Sequence, residues 1–144
     1  MNVSEAATRD IENIVRAATE FAKTGYPNDP CSEEHLWTVV RNAMDSTDAL
    51  AAVLRDEGEF AGCFLGSVGA NLLSGQLMCA EIFFWVEPGY RGHGRKLLSY
   101  AQRWAKERGC SAIVLSAPRS AERAQEVFRR WGFKPTEHWY RKAL

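Results

Sequence analysis

The chain has 144 residues, of which 46% are hydrophobic and 25% are charged, which is the make-up of one ordinary globular domain. No apolar run approaches the length of about 18 residues that a membrane span needs, and the N-terminal segment lacks the charged start and apolar core of a secretory signal. We therefore expect a single domain over residues 1–144 that is cytoplasmic and has no membrane partner.

Cysteine and histidine usage gives no sign of a metal site or a disulfide framework. The cysteines form no C-x-x-C pair, and no histidine stands at metal-ligand spacing to them. Reduced, structural thiols are expected, and we predict no metal ion. The residues concerned are Cys31, Cys63, Cys79 and Cys110, with His35, His93 and His138.

The net charge is zero, but the two parts of the chain have opposite signs. Residues 1–60 contain twelve acidic and five basic residues, net −7, whereas residues 61–144 contain six acidic and thirteen basic residues, net +7. A solvated surface is one explanation, since a linear asymmetry need not survive folding as an electric field. The other explanation is an anionic ligand on the C-terminal part and a cationic ligand on the N-terminal part.

Hydrophobic periodicity predicts two helices first, one over residues 10–25 and one that begins after Ser32 as its N-cap and ends near Asp45. Three β-rich segments follow at residues 49–58, 59–75 and 76–89, of which the first two are typical of a hairpin.

Helix and strand then alternate. The pattern predicts a helix over residues 95–108 and a short buried strand within 111–118. A helix capped by Ser120 comes next, and residues 133–144 close the chain as a strand or hairpin. The element order ααβββαβαβ indicates an α/β (α+β) fold with a mixed sheet flanked by helices, not a bundle or barrel.

The stretch WVEPGYRGHGRKLL joins a strand to a helix through glycines and basic residues. Such a turn binds phosphate, because the first N–H groups of the helix lack acceptors and the helix dipole is positive there. A Walker loop does not fit, since Arg95 replaces its lysine and Lys96 replaces its Ser or Thr. A dinucleotide-binding fingerprint does not fit either, since Leu97 occupies the third glycine position.

The longer stretch FFWVEPGYRGHGRKLL resembles the acyl-CoA pyrophosphate loop of the GNAT N-acetyltransferase superfamily. The family signature [RQ]xxGx[GA] follows a strand that ends in V-x-P, and Arg91, Gly94, Val86 and Pro88 match it. Downstream, AERAQEVFRRWGF is similar to the N-x-x-A-x-x-[FY]-Y-x-x-x-GF helix of the family, and the element order agrees over essentially the whole chain. The terminal GFKPTEHWYRKAL further resembles small phage-encoded or prophage-like members.

The resemblance implies a GNAT-like, mostly antiparallel sheet and an N-acetyltransferase. Such an enzyme moves an acetyl group from acetyl-CoA, its acyl-donor substrate, to a primary amine by direct attack on the thioester. Backbone N–H groups at the end of the strand would serve the donor and its carbonyl oxygen, and the loop would hold the pyrophosphate. The implied donor-binding residues are Phe84, Trp85, Val86, Arg91, Gly92, His93, Gly94, Arg95, Lys96 and Leu97.

The chain departs from the family pattern at three positions. Lys96 stands where the family has Gly or Ala, and Ala121 stands where many members have an Asn that helps hold the pantetheine arm. Phe128 falls where many members have a Tyr that protonates the departing thiolate. We expect acetyl-CoA binding to survive, with Tyr140 or water as the replacement acid, because a thiolate leaves without full protonation.

The base matters more than the acid, because an alkyl amine is almost fully protonated at pH 7 and must lose a proton before it attacks. Glu81 lies on the strand that leads into the loop, near the position of a carboxylate base in family members. The matching position in this strand is either Glu81 or Ala80, and adjacent residues face opposite ways unless a bulge intervenes. A plain surface carboxylate and a water relay are the alternatives to a catalytic Glu81.

By the same resemblance, the first two helices and the turn between them line the acceptor side. This region carries Asp29, Glu33 and Glu34 on the net −7 part of the chain. The predicted acceptor is therefore a cationic small molecule or a protein amine. The C-terminal arginines come with no nucleic-acid motif, so no nucleic-acid partner is expected, and a homodimer is left open.

The alternative to an enzyme is a catalytically weak acyl-CoA-binding or protein-interaction module that retains the GNAT fold. The tryptophans are predicted to pack in the core rather than to form a substrate box, namely Trp85, Trp104, Trp131 and Trp139.

Overall fold

The computed structural model describes all residues from Met1 to Leu144. Its single sheet has the strand order β1-β2-β3-β4-β5, in which β1 to β4 are antiparallel and β5 runs parallel to β4. This mixed, mostly antiparallel sheet flanked by helices confirms the predicted fold class. The strands are β1 Asn2–Glu5, β2 Ala49–Asp56, β3 Glu59–Ala70, β4 Leu77–Val86 and β5 Ala112–Val114. The helices are α1 Ile11–Gly25, α2 Glu33–Asp45, α3 Gly94–Glu107 and α4 Glu122–Arg130.

Both faces of the sheet are covered, because side chains alternate between the faces along each strand. In β2, Ala51 and Val53 belong to a core beneath α1 and α2, whereas Leu50 and Leu54 belong to a core beneath α3. We call these cores the α1–α2 cluster and the α3 cluster. The α1–α2 cluster also contains Ile11, Ile14, Val15, Ala17, Ala18, Val40, Ala43, Cys63, Leu65 and Phe83. The α3 cluster also contains Ala52, Ala61, Phe64, Cys79, Leu97, Leu98, Ala101, Trp104 and Ala105.

The two ends of the chain differ from the prediction. Residues 2–5 form β1 at the edge of the sheet, a strand too short and too polar for period-two alternation to reveal. Residues 131–144 form neither helix nor strand, so the predicted closing strand is wrong. The side chains of Trp139 and Tyr140 are 92% and 93% exposed, so the core position predicted for Trp139 is wrong as well. Only Trp131 and Phe133, at the start of this segment, pack on the α3 cluster, and Pro135 cannot donate a ladder hydrogen bond.

Helix capping follows the prediction in α2 but not in α4. The Ser32 side chain accepts a hydrogen bond from the backbone N–H of His35 at 3.2 Å, which confirms Ser32 as the N-cap of α2. At α4 the N-cap is Ala121, without a side-chain cap, so Ser120 does not have the predicted role. The Gln125 side chain instead donates to the Pro118 and Arg119 carbonyls at 3.2 Å, and these contacts anchor the first turn.

Strand β4 diverges from β5 partway along its length, and this divergence positions the site described below. The last pair between the two strands is Ala80 with Val114, after which β4 continues to Val86 beside β3 alone. Alternate backbone groups of residues 81–86 therefore face outward without a strand partner. None of the four helices has the length and apolar character that a membrane crossing requires.

Candidate active site

The loop between β4 and α3 is held from both sides. A single 3-10 turn, Pro88–Tyr90, follows β4, and the N–H of Tyr90 donates to the Glu87 carbonyl at 2.8 Å. The Glu87 carboxylate pairs with Arg16 of α1 at 2.5 Å, which fixes the start of the loop to the opposite face of the sheet. Gly92 has φ +107°, a conformation that side chains rarely adopt. The local sequence therefore dictates a tight turn that ends at the first residue of α3.

The loop presents free backbone donors at the positive end of α3. The N–H groups of Gly92 and Arg95 have no acceptor within the chain, whereas those of His93 and Lys96 donate to the carbonyls of Tyr90 and His93. Unpaired N–H groups and the helix dipole together make this end of α3 suited to an anionic group such as a pyrophosphate. The structure thus brings Gly92, His93, Arg95 and Lys96 together at the start of α3, whereas the Leu97 side chain is buried in the α3 cluster, and the donor-binding role of these residues stays a prediction.

Basic side chains extend this positive surface along α3. A groove of about 560 Å³ runs between β1 and α3, and no acidic residue lines it. Its basic side chains Arg95, Lys96 and Arg103 take part in no ion pair. Ser99, Tyr100 and Arg103 were not predicted, although they follow Lys96 at helical spacing, which was the available signal. The groove is lined by Met1, Asn2, Val3, Gly92, His93, Arg95, Lys96, Ser99, Tyr100 and Arg103.

Gly94 is buried and serves packing as well as the loop. A Cβ at this position would lie 3.0 Å from Val86 Cγ2, 3.2 Å from Phe84 Cζ and 3.5 Å from Trp131 Cη2. A larger side chain at Gly94 would therefore disturb the α3 cluster as well as the loop. Substitution of Gly94 does not separate donor binding from folding, so a test of donor binding needs an exposed loop residue.

The predicted donor-binding residues at the end of β4 pack with their side chains in both cores. Phe84 and Val86 pack on the α3 cluster, and Trp85 packs on the α1–α2 cluster. These side chains are only partly buried, and the backbone of the same residues continues beyond the divergence from β5. The buried Nε1 atom of Trp85 has no hydrogen-bond partner within the chain.

Glu81 lies at the divergence of β4 and β5. A β-bulge precedes the end of β4: Leu65 of β3 faces Phe83, Gly66 faces Glu81, and Ile82 has no partner. The bulge reverses the alternation, so that Cys79 lies in the α3 cluster and Phe83 in the α1–α2 cluster. Ala80 pairs with β5, and Glu81 is the first residue beyond that pairing.

The Glu81 carboxylate is bound by a residue that the sequence interpretation did not single out. Ser116, just after β5, donates both its backbone N–H and its hydroxyl to Glu81 Oε2, each at 2.9 Å. Burial raises the pKa of Glu81 above its ordinary value, and the two hydrogen bonds from Ser116 oppose this shift. A half-buried carboxylate with a raised pKa is better suited to accept a proton than an exposed surface glutamate.

The position of the missing tyrosine is occupied by packing. The Phe128 ring stacks on Phe84 with centroids 6.3 Å apart and an interplanar angle of 15°. Trp131 and Phe133 pack beside Phe128 at 6.3 and 6.2 Å. Phe128 therefore joins α4 to the α3 cluster through apolar contacts, and its ring has no group that donates a proton.

The C-terminal segment reaches the predicted acceptor side. Arg141 donates two hydrogen bonds to the Asp29 carboxylate, at 2.7 and 2.8 Å. These hydrogen bonds hold the pKa of Asp29 below its ordinary value. Asp29 is thus already paired with a guanidinium, while Tyr140, the predicted replacement acid, precedes Arg141 in the chain and has an exposed side chain.

The acidic residues of α2 remain free, and the α1–α2 turn lies close to the end of β5. Glu33 and Glu34 are exposed in the first turn of α2, take part in no ion pair, and also stabilise the helix dipole there. A Cβ at Gly25, the last residue of α1, would lie 2.9 Å from Pro118. The C-terminal end of α1 therefore contacts the segment after β5 that also carries Ser116.

Titratable clusters elsewhere do not suggest another site. No group of three or more His, Cys, Asp or Glu side chains is arranged to hold a metal ion. Cys63 and Cys79 are buried thiols, and burial raises the pKa of Cys79 to about 11, which makes it unreactive at neutral pH.

Comparison with known proteins identifies the family. The model of the acetyltransferase (GNAT) family matches residues 10–133, most of the chain. The chain belongs to the acetyltransferase (GNAT) family. A search of curated proteins gave no match. The phage or prophage origin stays a prediction.

Solved structures share the GNAT fold at low identity. A transcriptional regulator from Bacillus halodurans is 19% identical with a TM-score of 0.82, and 99% of each chain is covered. The aminoglycoside 6'-N-acetyltransferase from Acinetobacter haemolyticus is 17% identical with a TM-score of 0.80, covering 100% of this chain and 99% of that one. The ribosomal-protein-alanine N-acetyltransferase from Brucella melitensis is 18% identical with a TM-score of 0.75 over both full chains. At these identities the likeness establishes the fold alone.

Proposed function

We propose that this GNAT protein transfers an acetyl group from acetyl-CoA to a primary amine by direct attack on the thioester. The observation that carries the proposal is the succession of three features along the second half of β4 and the loop that follows it. These are the free N–H donors of Gly92 and Arg95, the divergence of β4 from β5, and the half-buried Glu81 at that divergence. A phosphate-bearing donor, an extended arm and a proton acceptor each have a matching group there.

The donor is held by its phosphates. The N–H groups at the start of α3 and the side chains of Arg95 and Lys96 match the charge of a pyrophosphate. Outward-facing backbone groups of residues 84–86 accept or donate hydrogen bonds along the pantetheine arm, and one N–H stabilises the thioester oxygen as negative charge develops.

The acceptor is proposed to be a cationic amine that enters from the α1–α2 side. Glu33 and Glu34 attract it over about 8 Å at physiological salt, whereas the charge of Asp29 is already balanced by Arg141. Glu81 takes the proton of the amine, directly or through one water, and a primary amine on a small molecule or a protein satisfies this chemistry.

A second candidate is a binding module with weak or no catalysis. Phe128 supports it, because the ring that replaces the usual acid packs on Phe84 and offers no proton. A thiol-release assay separates the two candidates. Acetyl-CoA binding by calorimetry is expected in both cases, whereas release of CoA on addition of a polyamine, an aminoglycoside or a lysine peptide is expected only of the enzyme. Binding without release from any amine would establish the module.

Glu81→Gln tests the role of the base. The amide cannot accept the proton, so turnover should fall by about 10² to 10⁴ with acetyl-CoA affinity unchanged. Because burial disfavours the charged form of Glu81, the neutral amide should not lower the thermal midpoint at pH 7. Glu126→Gln, on the exposed face of α4, is the matched control and should retain turnover. A near-normal rate in Glu81→Gln would assign the proton transfer to water or another carboxylate.

A further inference from the structure

The contact between Glu81 and Ser116 is asymmetric. Both donors of Ser116 bind the same carboxylate oxygen, Oε2, each at 2.9 Å. The other oxygen, Oε1, accepts no hydrogen bond from any group of the chain. A carboxylate held in this way has one anchored oxygen and one that remains available to a proton donor.

The surroundings of Glu81 leave Ser116 as its sole polar partner. Neighbours on the sheet are Gly66 across the bulge, Ala80 and Ile82 beside it on β4, and Val114 at the end of β5. None of these is titratable, and none of the ion pairs of the chain includes Glu81. The orientation of the carboxylate therefore depends on Ser116.

Ser116 can bind the Glu81 carboxylate because it lies just beyond the point where β4 and β5 separate. In a continued parallel ladder its N–H would face a backbone carbonyl of β4, but pairing ends at Val114. The Glu81 side chain takes the place of that carbonyl and spans the gap where the strands separate. Ser116 thus donates to a side chain at the one point where the sheet opens.

We propose that Ser116 is a positioning residue for the reaction, one that anchors Oε2 of Glu81 so that Oε1 faces the amine. This inference rests on the proposed function, in which Glu81 is the base. Oε1 accepts a proton from the acceptor ammonium, directly or through one water, and the neutral nitrogen attacks the thioester carbon. The N–C bond forms, the C–S bond breaks, and the electron pair leaves on the CoA sulfur. As the adduct collapses, the nitrogen loses its second proton to the thiolate, and the proton held by Glu81 passes to solvent.

The test compares Ser116→Ala with Ser116→Thr, which keeps the hydroxyl. Loss of one anchoring bond should lower kcat by roughly 10- to 100-fold and leave the KM for acetyl-CoA unchanged, since a misplaced base affects only the proton transfer. In the wild-type protein the hydrogen bond from the Ser116 hydroxyl lowers the pKa of Glu81. Its loss in Ser116→Ala should therefore raise that pKa and move the acid limb of kcat/KM to higher pH. Ser116→Thr should restore both values. The double variant Ser116→Ala/Glu81→Gln should be no slower than Glu81→Gln alone.

A readout independent of turnover completes the design. Titration of ¹³C-labelled glutamate carboxyls by NMR, with the Glu81 signal assigned by its loss in Glu81→Gln, should show a higher pKa for Glu81 in Ser116→Ala. An unchanged titration and an unchanged acid limb in Ser116→Ala would overturn the positioning role, as would losses that add fully in the double variant. A wild-type protein that releases no CoA with any amine would overturn the proposed function instead, and the titration would still decide whether Ser116 controls Glu81.

Discussion

Residues 1–105 and residues 106–144 are held in the fold by different means. Every buried hydrophobic side chain belongs to the first region, in the two clusters that sandwich the sheet. In the second region only Pro118 is buried, β5 is three residues long, and α4 has no buried residue. The second region is attached by the short pairing of β5 with β4, by partly buried side chains on the α3 cluster, and by contacts of Ser116 with Glu81, of Phe128 with Phe84, and of Arg141 with Asp29.

The difference shows how the fold separates stability from function. Dense apolar packing fixes the loop and Glu81 in the first region, because close-packed interiors resist displacement. The second region has few buried apolar contacts, so its movement away from β4 costs less free energy. The candidate site lies where the two regions meet. Its rigid side carries the proposed base and the proposed donor loop, and its lightly attached side carries Ser116 and α4.

The largest expected effect tests the rigid region. Asp10 binds Arg55 at 2.6 Å and the N–H of Ala7 at 2.7 Å, and the exposed fractions of the two charged side chains are 5% and 11%. Asp10→Ala leaves a buried guanidinium without a partner and should lower the free energy of unfolding by about 3–5 kcal/mol in urea titrations. Glu126→Ala breaks an exposed pair in the second region and should cost less than about 1 kcal/mol. Equal losses would remove the distinction between the regions.

An intermediate effect is expected at the donor loop. Lys96→Glu should weaken acetyl-CoA binding about tenfold by calorimetry, because a negative charge replaces a positive one beside the pyrophosphate. The stability of the fold should not change, since Lys96 is exposed. Lys106→Glu makes the same change about 15 Å further along α3 and should leave affinity unaltered. Comparable weakening in both variants would show that the overall charge of the protein, rather than the loop, controls acetyl-CoA affinity.

The smallest effect concerns the attachment of the last residues. Arg141→Ala frees Asp29 for a cationic acceptor and should lower the KM for that amine by about threefold, with the KM for acetyl-CoA unchanged. Arg141 holds the pKa of Asp29 below its ordinary value, so the pair persists until the pH falls through that lowered pKa. The two proteins should therefore converge at acidic pH. Lys142→Ala is the neighbouring control, and an equal change there would show that tail charge alone matters.

Much of the scaffold could be predicted from the sequence, as could the loop on the α3 side of the candidate site. The two N-terminal helices and the three long strands follow from hydrophobic period, and Ser32 from its capping chemistry. The loop followed from its glycines and basic residues. The core position predicted for Trp139 was wrong. A large apolar ring is typical of a core residue, but no part of the fold packs against this one, which is 92% exposed. The closing strand was wrong for the same reason, since apolar content in residues 133–144 does not by itself supply a pairing partner.

The sequence by itself determined the loop and its free donors, because helix starts, glycine conformations and unpaired N–H groups depend on residues adjacent in the chain. Only the tertiary structure decided the bulge that turns Glu81, the anchoring of its carboxylate by Ser116, and the pairing of Asp29 with Arg141. These contacts join residues 35 and 112 positions apart. A shift of one residue in strand register, or a different path of the last residues, would abolish them without changing any local pattern.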